Sequence, residues 1–91
     1  MEHDDKSQLL NRLKRLEGQV RGIARMVEED RYCIDIVTQT QAARAALRRV
    51  ESGLLLDHLR HCVAAAMESG DPEEQRRKAA ELIEVLERGA L

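Results

Sequence analysis

The chain has 91 residues, 17 acids against 15 lysines and arginines for a net charge of −2, one aromatic residue (Tyr32) and one proline. These totals exclude several folded domains, leave strands little to build from and offer no aromatic platform for stacking on single-stranded nucleic acid. No apolar run approaches the roughly 18 residues needed to cross a bilayer, and the opening Met-Glu-His-Asp-Asp-Lys lacks the apolar core of a secretory leader. A cytoplasmic protein without a membrane partner is expected, all-α, with a single domain over residues 1–91. In a reducing compartment Cys33 and Cys62 are expected as free thiols, metal ligands or redox groups rather than as a disulfide.

The first predicted helix covers about 7–29. Leu9, Leu13, Leu16, Val20, Ile23 and Val27 recur in alternating steps of four and three, the pattern of a heptad seam. Gly18 and Gly22 interrupt it and suit close helix approach. Glu28-Glu29-Asp30-Arg31 forms a polar break, with Asp30 the expected N-cap of the next helix. That second helix, about 33–69, carries Leu47, Val50 and Leu54 on one stripe and Leu55, Leu59, Cys62 and Ala66 on a neighbouring one, a breadth that fits a bundle interior. Gly70 suits the position just past a helix end, and Asp71-Pro72-Glu73-Glu74 supplies an N-cap, a proline at N1 and an acid at N3. A third helix, about 72–88, follows, with Ala79, Leu82, Ile83 and Leu86 as its apolar face and Gly89 as its stop.

Charge is unevenly spread. Between Lys6 and Arg25 six cations (Lys6, Arg12, Lys14, Arg15, Arg21, Arg25) face one acid, Glu17, and Arg44, Arg48 and Arg49 follow. From Glu51 onward there are nine acids and five bases. A basic half on an acidic protein points to an anionic partner, with double-stranded nucleic acid the natural candidate; the competing reading is a solvated helix face.

Cys33, His58 and Cys62 form the candidate metal site. His58 and Cys62, four apart on a helix, share one face about a turn apart. Along a single helix, Cys33 and Cys62 would stand roughly 43 Å apart, so a three-ligand site requires an antiparallel second copy and hence a dimer. Taken singly, each cysteine is more often a core residue and each histidine a surface one; the joint spacing is what argues for a metal. Two thiolates and one imidazole favour a soft ion of low coordination number, Cu(I) first. Zn(II) would seek a fourth ligand, for which His3 and His61 are the candidates. A cysteine at a helix start beside Arg31 is also placed for sulfur or oxidant chemistry.

Two segments carry a resemblance. Asn11-Arg12-Leu13-Lys14-Arg15-Leu16-Glu17-Gly18-Gln19-Val20-Arg21-Gly22-Ile23, and Tyr32-Cys33 with the later Asp57-His58-Leu59-Arg60-His61-Cys62, together resemble the signatures of the copper-sensitive operon repressor (CsoR) and nickel/cobalt repressor (RcnR) family of small all-helical bacterial transcription factors. The resemblance implies an antiparallel four-helix-bundle dimer, assembled as a dimer of dimers (a homotetramer), that represses a metal-export or detoxification operon and releases its operator DNA when the inducer binds. It places the copper branch's triad on Cys33, His58 and Cys62, with one Cu(I) per protomer, and second-sphere partners of the histidine on Tyr32 and Glu81. It implies DNA-facing roles for Arg12, Lys14, Arg15 and Arg49, to which Arg48 is added as a neighbour. His3 resembles an N-terminal ligand of the nickel/cobalt branch, which keeps Ni(II) and Co(II) open beside Cu(I). The presence of His58 counts against the persulfide-sensing branch. From other classes, a copper buffer or chaperone without DNA binding is the alternative, and an enzyme is not expected, since no nucleophile and base stand apart from the ligand set.

Overall fold

The computed structural model describes the backbone of residues 3–89 and the side chains of residues 6–89. Every regular element among them is helical: α1 (His3–Glu28), α2 (Cys33–Asp57), a π-helical segment (His58–Val63), α3 (Ala64–Ser69) and α4 (Pro72–Gly89). The expected second helix over 33–69 is thus one unbroken helical stretch carrying a π segment that periodicity did not foretell. Two compact units divide the chain, Met1–Leu54 and Leu55–Leu91, with the division inside α2.

In the first unit, α1 starts four residues before the expected position 7. Its end differs from expectation in a more informative way. Asp30 is not the N-cap of α2 but lies in the left-handed region, φ 53°. Its N–H bonds to Val27 O at 3.1 Å and that of Arg31 to Met26 O at 3.0 Å, the paired bonds of a Schellman closure. The first turn of α2 is received by Tyr32, whose carbonyl accepts the N–H of Asp35 at 3.0 Å and of Ile36 at 3.3 Å.

The predicted heptad seam of α1 separates into two stripes. Leu9 is buried, and Leu16, Ile23 and Met26 are half-buried. Leu13, Val20 and Val27 are exposed, together with Leu10. On the part of α2 in this unit the buried or half-buried positions are Ile36, Ala43, Ala46, Val50 and Gly53, while Ile34, Val37, Leu47 and Leu54 are exposed. The two inward sets meet: Leu9 Cδ2 is 3.4 Å from where a Cβ on Gly53 would stand. One helix partner buries one stripe, which is why the remaining apolar residues of a wide seam face outward. Gly18 and Gly22 have nothing within 4 Å of a built Cβ, so among the described residues of this chain no close approach is made there.

The second unit packs the π segment, α3 and α4 against one another. Gly70 ends α3 at φ 69°, as its position suggested. Asp71 Oδ1 accepts the Glu73 N–H at 3.0 Å, and the Asp71 carbonyl that of Gln75 at 3.0 Å. The anticipated N-cap with Pro72 at N1 is therefore present. Glu74 pairs with Arg77 instead of reaching back to complete a capping box. Gln75 Nε2 donates to Met67 O at 3.4 Å, tying the first turn of α4 to α3. The inward face of α4 is Gln75, Lys78, Leu82 and Val85, with Ala66 buried on α3. Of the expected face only Leu82 is inward; Ala79, Ile83 and Leu86 are exposed. The chosen register places the polar Gln75 over the end of α3, where its amide finds the Met67 carbonyl.

Candidate functional site

His58 and Cys62 both lie in the π segment, His58 half-buried and Cys62 exposed. A π turn hydrogen-bonds five residues apart, so residues four apart remain near one face. The turn closes where the Ala64 N–H bonds to the His61 carbonyl and the α-helix resumes. Cys62, placed by its spacing on an apolar stripe, is instead a solvent-facing thiol. Cys33 is the first residue of α2 in the other unit, also an exposed free cysteine, and Tyr32 before it is 66% exposed. Among the described residues no group of three or more His, Cys, Asp and Glu gathers around a common point.

The supporting residues are placed unevenly. Glu81 is exposed on α4 and pairs with Lys78 Nζ at 3.6 Å. His61 is half-buried with Nε2 3.5 Å from Asp57 Oδ1. That carboxylate oxygen is itself buried and receives no hydrogen bond of ordinary length among the described residues. The side chain of His3 lies outside the described residues. Asp57 opens the segment that carries His58 and Cys62, but no role was expected for it. Its four-residue spacing to His61 is visible in the sequence, but burial of its oxygen depends on packing.

The basic residues converge in the first unit. Arg12, Arg15 and Gln19 of α1 and Ala46 and Arg49 of α2 line one cleft of about 520 Å³. Arg12 and Arg15 with Gln19 stand three and seven residues apart on one face of α1; Ala46 and Arg49 stand three apart on α2. Three of the five anticipated DNA-facing residues are brought together there. Lys14 and Arg48 are exposed but do not line the cleft, whereas Gln19, which the charge pattern passed over, does. A second groove of about 520 Å³ runs along Leu13, Leu16, Glu17, Val20 and Arg21 of α1.

An all-helical chain with an imidazole and a thiol on one turn and a basic cleft elsewhere has the parts of a ligand-responsive DNA-binding protein. The family described as metal-sensitive transcriptional repressor matches residues 5–88. This chain belongs to that family. The metal-sensitive repressors similar to it include the copper-sensing transcriptional repressor CsoR of Bacillus subtilis (strain 168), 52% identical over 84 residues that make up 92% of this chain and 80% of that protein. The crystal structure of the copper-sensing repressor CsoR with Cu(I) from Geobacillus thermodenitrificans NG80-2 superimposes with a TM-score of 0.91 at 43% identity, covering 100% of this chain and 92% of that one. The nickel-responsive transcriptional regulator InrS gives a TM-score of 0.76 at 40% identity, over 90% of this chain and 89% of that one. No described helix is long and apolar enough to cross a membrane.

Proposed function

We propose that this metal-sensitive transcriptional repressor responds to copper: the metal-free protein holds operator DNA, and Cu(I) binding releases it, derepressing a metal-export or detoxification operon. The observation that carries this reading is the pairing of His58 and Cys62 on one helical turn, beside a second exposed thiol at Cys33, in a chain 43% identical to a repressor crystallised with Cu(I). The donor set fits such an ion on its chemistry, since two exposed, unbridged thiols and an imidazole are soft ligands for a metal content with low coordination. When bound, Cu(I) supplies a centre that ties thiolates and imidazole from two protomers together.

Cys33 of one protomer, with His58 and Cys62 of the other, would hold the ion across a dimer interface, one site per protomer. Tyr32 and Glu81 serve as hydrogen-bonding partners of His58, orienting the imidazole. Arg12, Lys14, Arg15, Arg48 and Arg49 contact the duplex, mainly through phosphates and DNA shape. The assembly is a homodimer, paired again into a homotetramer, acting in the cytoplasm as a regulator rather than a catalyst. His3 and His61 stand by as further donors, the route by which Ni(II), Co(II) or Zn(II) would be accommodated.

The test is an anaerobic titration of reduced protein with Cu(I), Ni(II) and a persulfide donor in parallel, followed through the fluorescence anisotropy of bound operator DNA. Stoichiometric Cu(I) alone is expected to release the DNA. Release by the sulfur donor alone, with copper bound silently, would move Cys33 and Cys62 from metal ligation to thiol chemistry, and failure of the metal-free protein to bind operator would leave a copper buffer.

A further inference from the structure

We propose that the cleft between α1 and α2 is a discrete binding pocket for a phosphoryl group, so that a free phosphate-class anion seated there competes with operator DNA. The pocket itself stands on geometry independent of the copper reading; only its competition with operator rests on the regulator reading above.

Three features single out this cleft from the general positive charge of the half-molecule. Its polar lining is Arg12, Arg15, Gln19 and Arg49, with no carboxylate among the lining residues. Among the described residues no hydrogen bond or ion pair engages Arg12, Arg15 or Arg49, although other charged residues of the chain, such as Arg77 and Lys78, have found acidic partners. Three guanidinium groups around one concavity repel one another unless an anion lies between them, and a planar fork of N–H donors suits the oxygens of a phosphoryl group bidentately. The cleft is also built for access and depth. Gln19 and Ala46 are half-buried while the three arginines are exposed around them, so that a neutral amide donor lies deeper than the charges. Arg12 Nη1 lies 3.9 Å from where a Cβ on Gly53 would stand, so the guanidinium rests over a residue of α2 that has no side chain to displace it. The volume of about 520 Å³ falls inside the roughly 300–1,000 Å³ range of small-molecule sites, which leaves room for more than one phosphoryl unit.

The phosphoryl group has two sources, the DNA backbone and a soluble phosphate or polyphosphate. Both present the same oxygens, and occupancy by one excludes the other. Arg25 and Arg44, exposed, outside the cleft and given no contact with the duplex, provide controls of equal charge.

The experiment is calorimetric titration of the full-length protein with inorganic phosphate and with pyrophosphate, at ionic strength held constant with chloride. Saturable binding at one anion per protomer is expected, weakened at least tenfold in Arg49→Ala and in Arg15→Ala, several-fold in the charge-preserving Arg49→Lys, and less than twofold in Arg25→Ala and Arg44→Ala. Circular dichroism of each variant checks that the helices are retained, and Arg49→Lys keeps the test decisive should an alanine variant misfold. Absence of saturable binding, or equal losses in Arg44→Ala and Arg49→Ala, overturns the pocket and leaves diffuse charge. In the second arm, pyrophosphate is expected to lower operator anisotropy beyond the chloride-matched control; pyrophosphate that binds calorimetrically without displacing DNA overturns the competition. Failure of the wild-type chain to bind operator at all would count against the regulator reading, while the calorimetric arm would still judge the pocket.

Discussion

Asp30 closes α1 in the left-handed region, a conformation that costs an ordinary L-residue about 1–2 kcal/mol and glycine nothing comparable. Aspartate is also a favoured N-cap, and a polar Glu-Glu-Asp-Arg break between two helices fits either role, so the sequence did not distinguish the end of one helix from the start of the next. Asp30→Gly is expected to stabilise the folded chain by up to about 1 kcal/mol, read as a higher midpoint in urea unfolding; a lower midpoint would contradict the left-handed closure. The proposed ligand residues need less of the fold to be singled out. His58 and Cys62 stand out because four-residue spacing keeps two side chains near one face in α and π geometry alike, and Cys33 because it starts an element. What stayed hidden was their surroundings: the exposure of Cys62, the buried Asp57 oxygen beside His61, and Gln19 among the arginines all depend on which faces pack. On the proposed roles, Cys33→Ala should leave operator affinity within about twofold while abolishing its response to Cu(I). Loss of DNA binding in a well-folded variant would dissolve that separation. Arg12→Ala should weaken operator binding and flatten its salt dependence, by about 0.9 in the log–log slope for each phosphate contact removed.

At the scale of elements, local chemistry and periodicity carried unequal information. The α3 to α4 junction was legible residue by residue, because Gly70, Asp71 and Pro72 each have a backbone requirement that the junction meets. Asp71→Ala removes the acceptor of the Glu73 N–H and is expected to cost about 1 kcal/mol, a fall of about 4–8 °C in Tm for a domain of this size; an unchanged Tm would deny the cap its role. The π segment had no such signature. Residues 58–63 contain neither glycine nor proline, and an i to i+5 bond leaves no mark on hydrophobic spacing. Apolar periodicity located the helices but not the owner of each stripe: Leu16 and Ile23 serve this chain's own packing, Leu13 and Val20 do not, and both pairs repeat at seven.

For the whole molecule, the imbalance between buried and exposed apolar side chains sets what stability requires. Among the described residues only Leu9, Val50 and Ala66 are buried hydrophobics, while Leu10, Leu13, Val20 and Val27 on α1 and Ile34, Val37, Leu47 and Leu54 on α2 are exposed. A stripe of that extent is costly in water at roughly 25 cal/mol per Å², and in the proposed assembly burying it against another protomer would make folding and association one equilibrium. Tm is therefore expected to rise with protomer concentration, and Val20→Glu is expected to lower it most at high dilution; a concentration-independent Tm would identify a stable monomer. Assembly is also what the proposed copper response would require. Linkage makes the effect reciprocal, so operator DNA should weaken copper binding by the factor with which copper weakens operator binding, typically 5- to 150-fold.

A metal site shared between two protomers is the centre of this account, and complementation between two defective variants tests it most directly. Cys33→Ala and Cys62→Ala proteins are each titrated with Cu(I) anaerobically on labelled operator DNA, alone and after co-expression with different affinity tags to isolate the mixed assembly. Each variant alone is expected to stay on the DNA, whereas the mixed dimer, which restores one complete set of Cys33 from one protomer with His58 and Cys62 from the other, should bind one Cu(I) tightly and regain release. A mixed assembly as unresponsive as its parents, or full copper binding by either variant alone, would contradict the shared site.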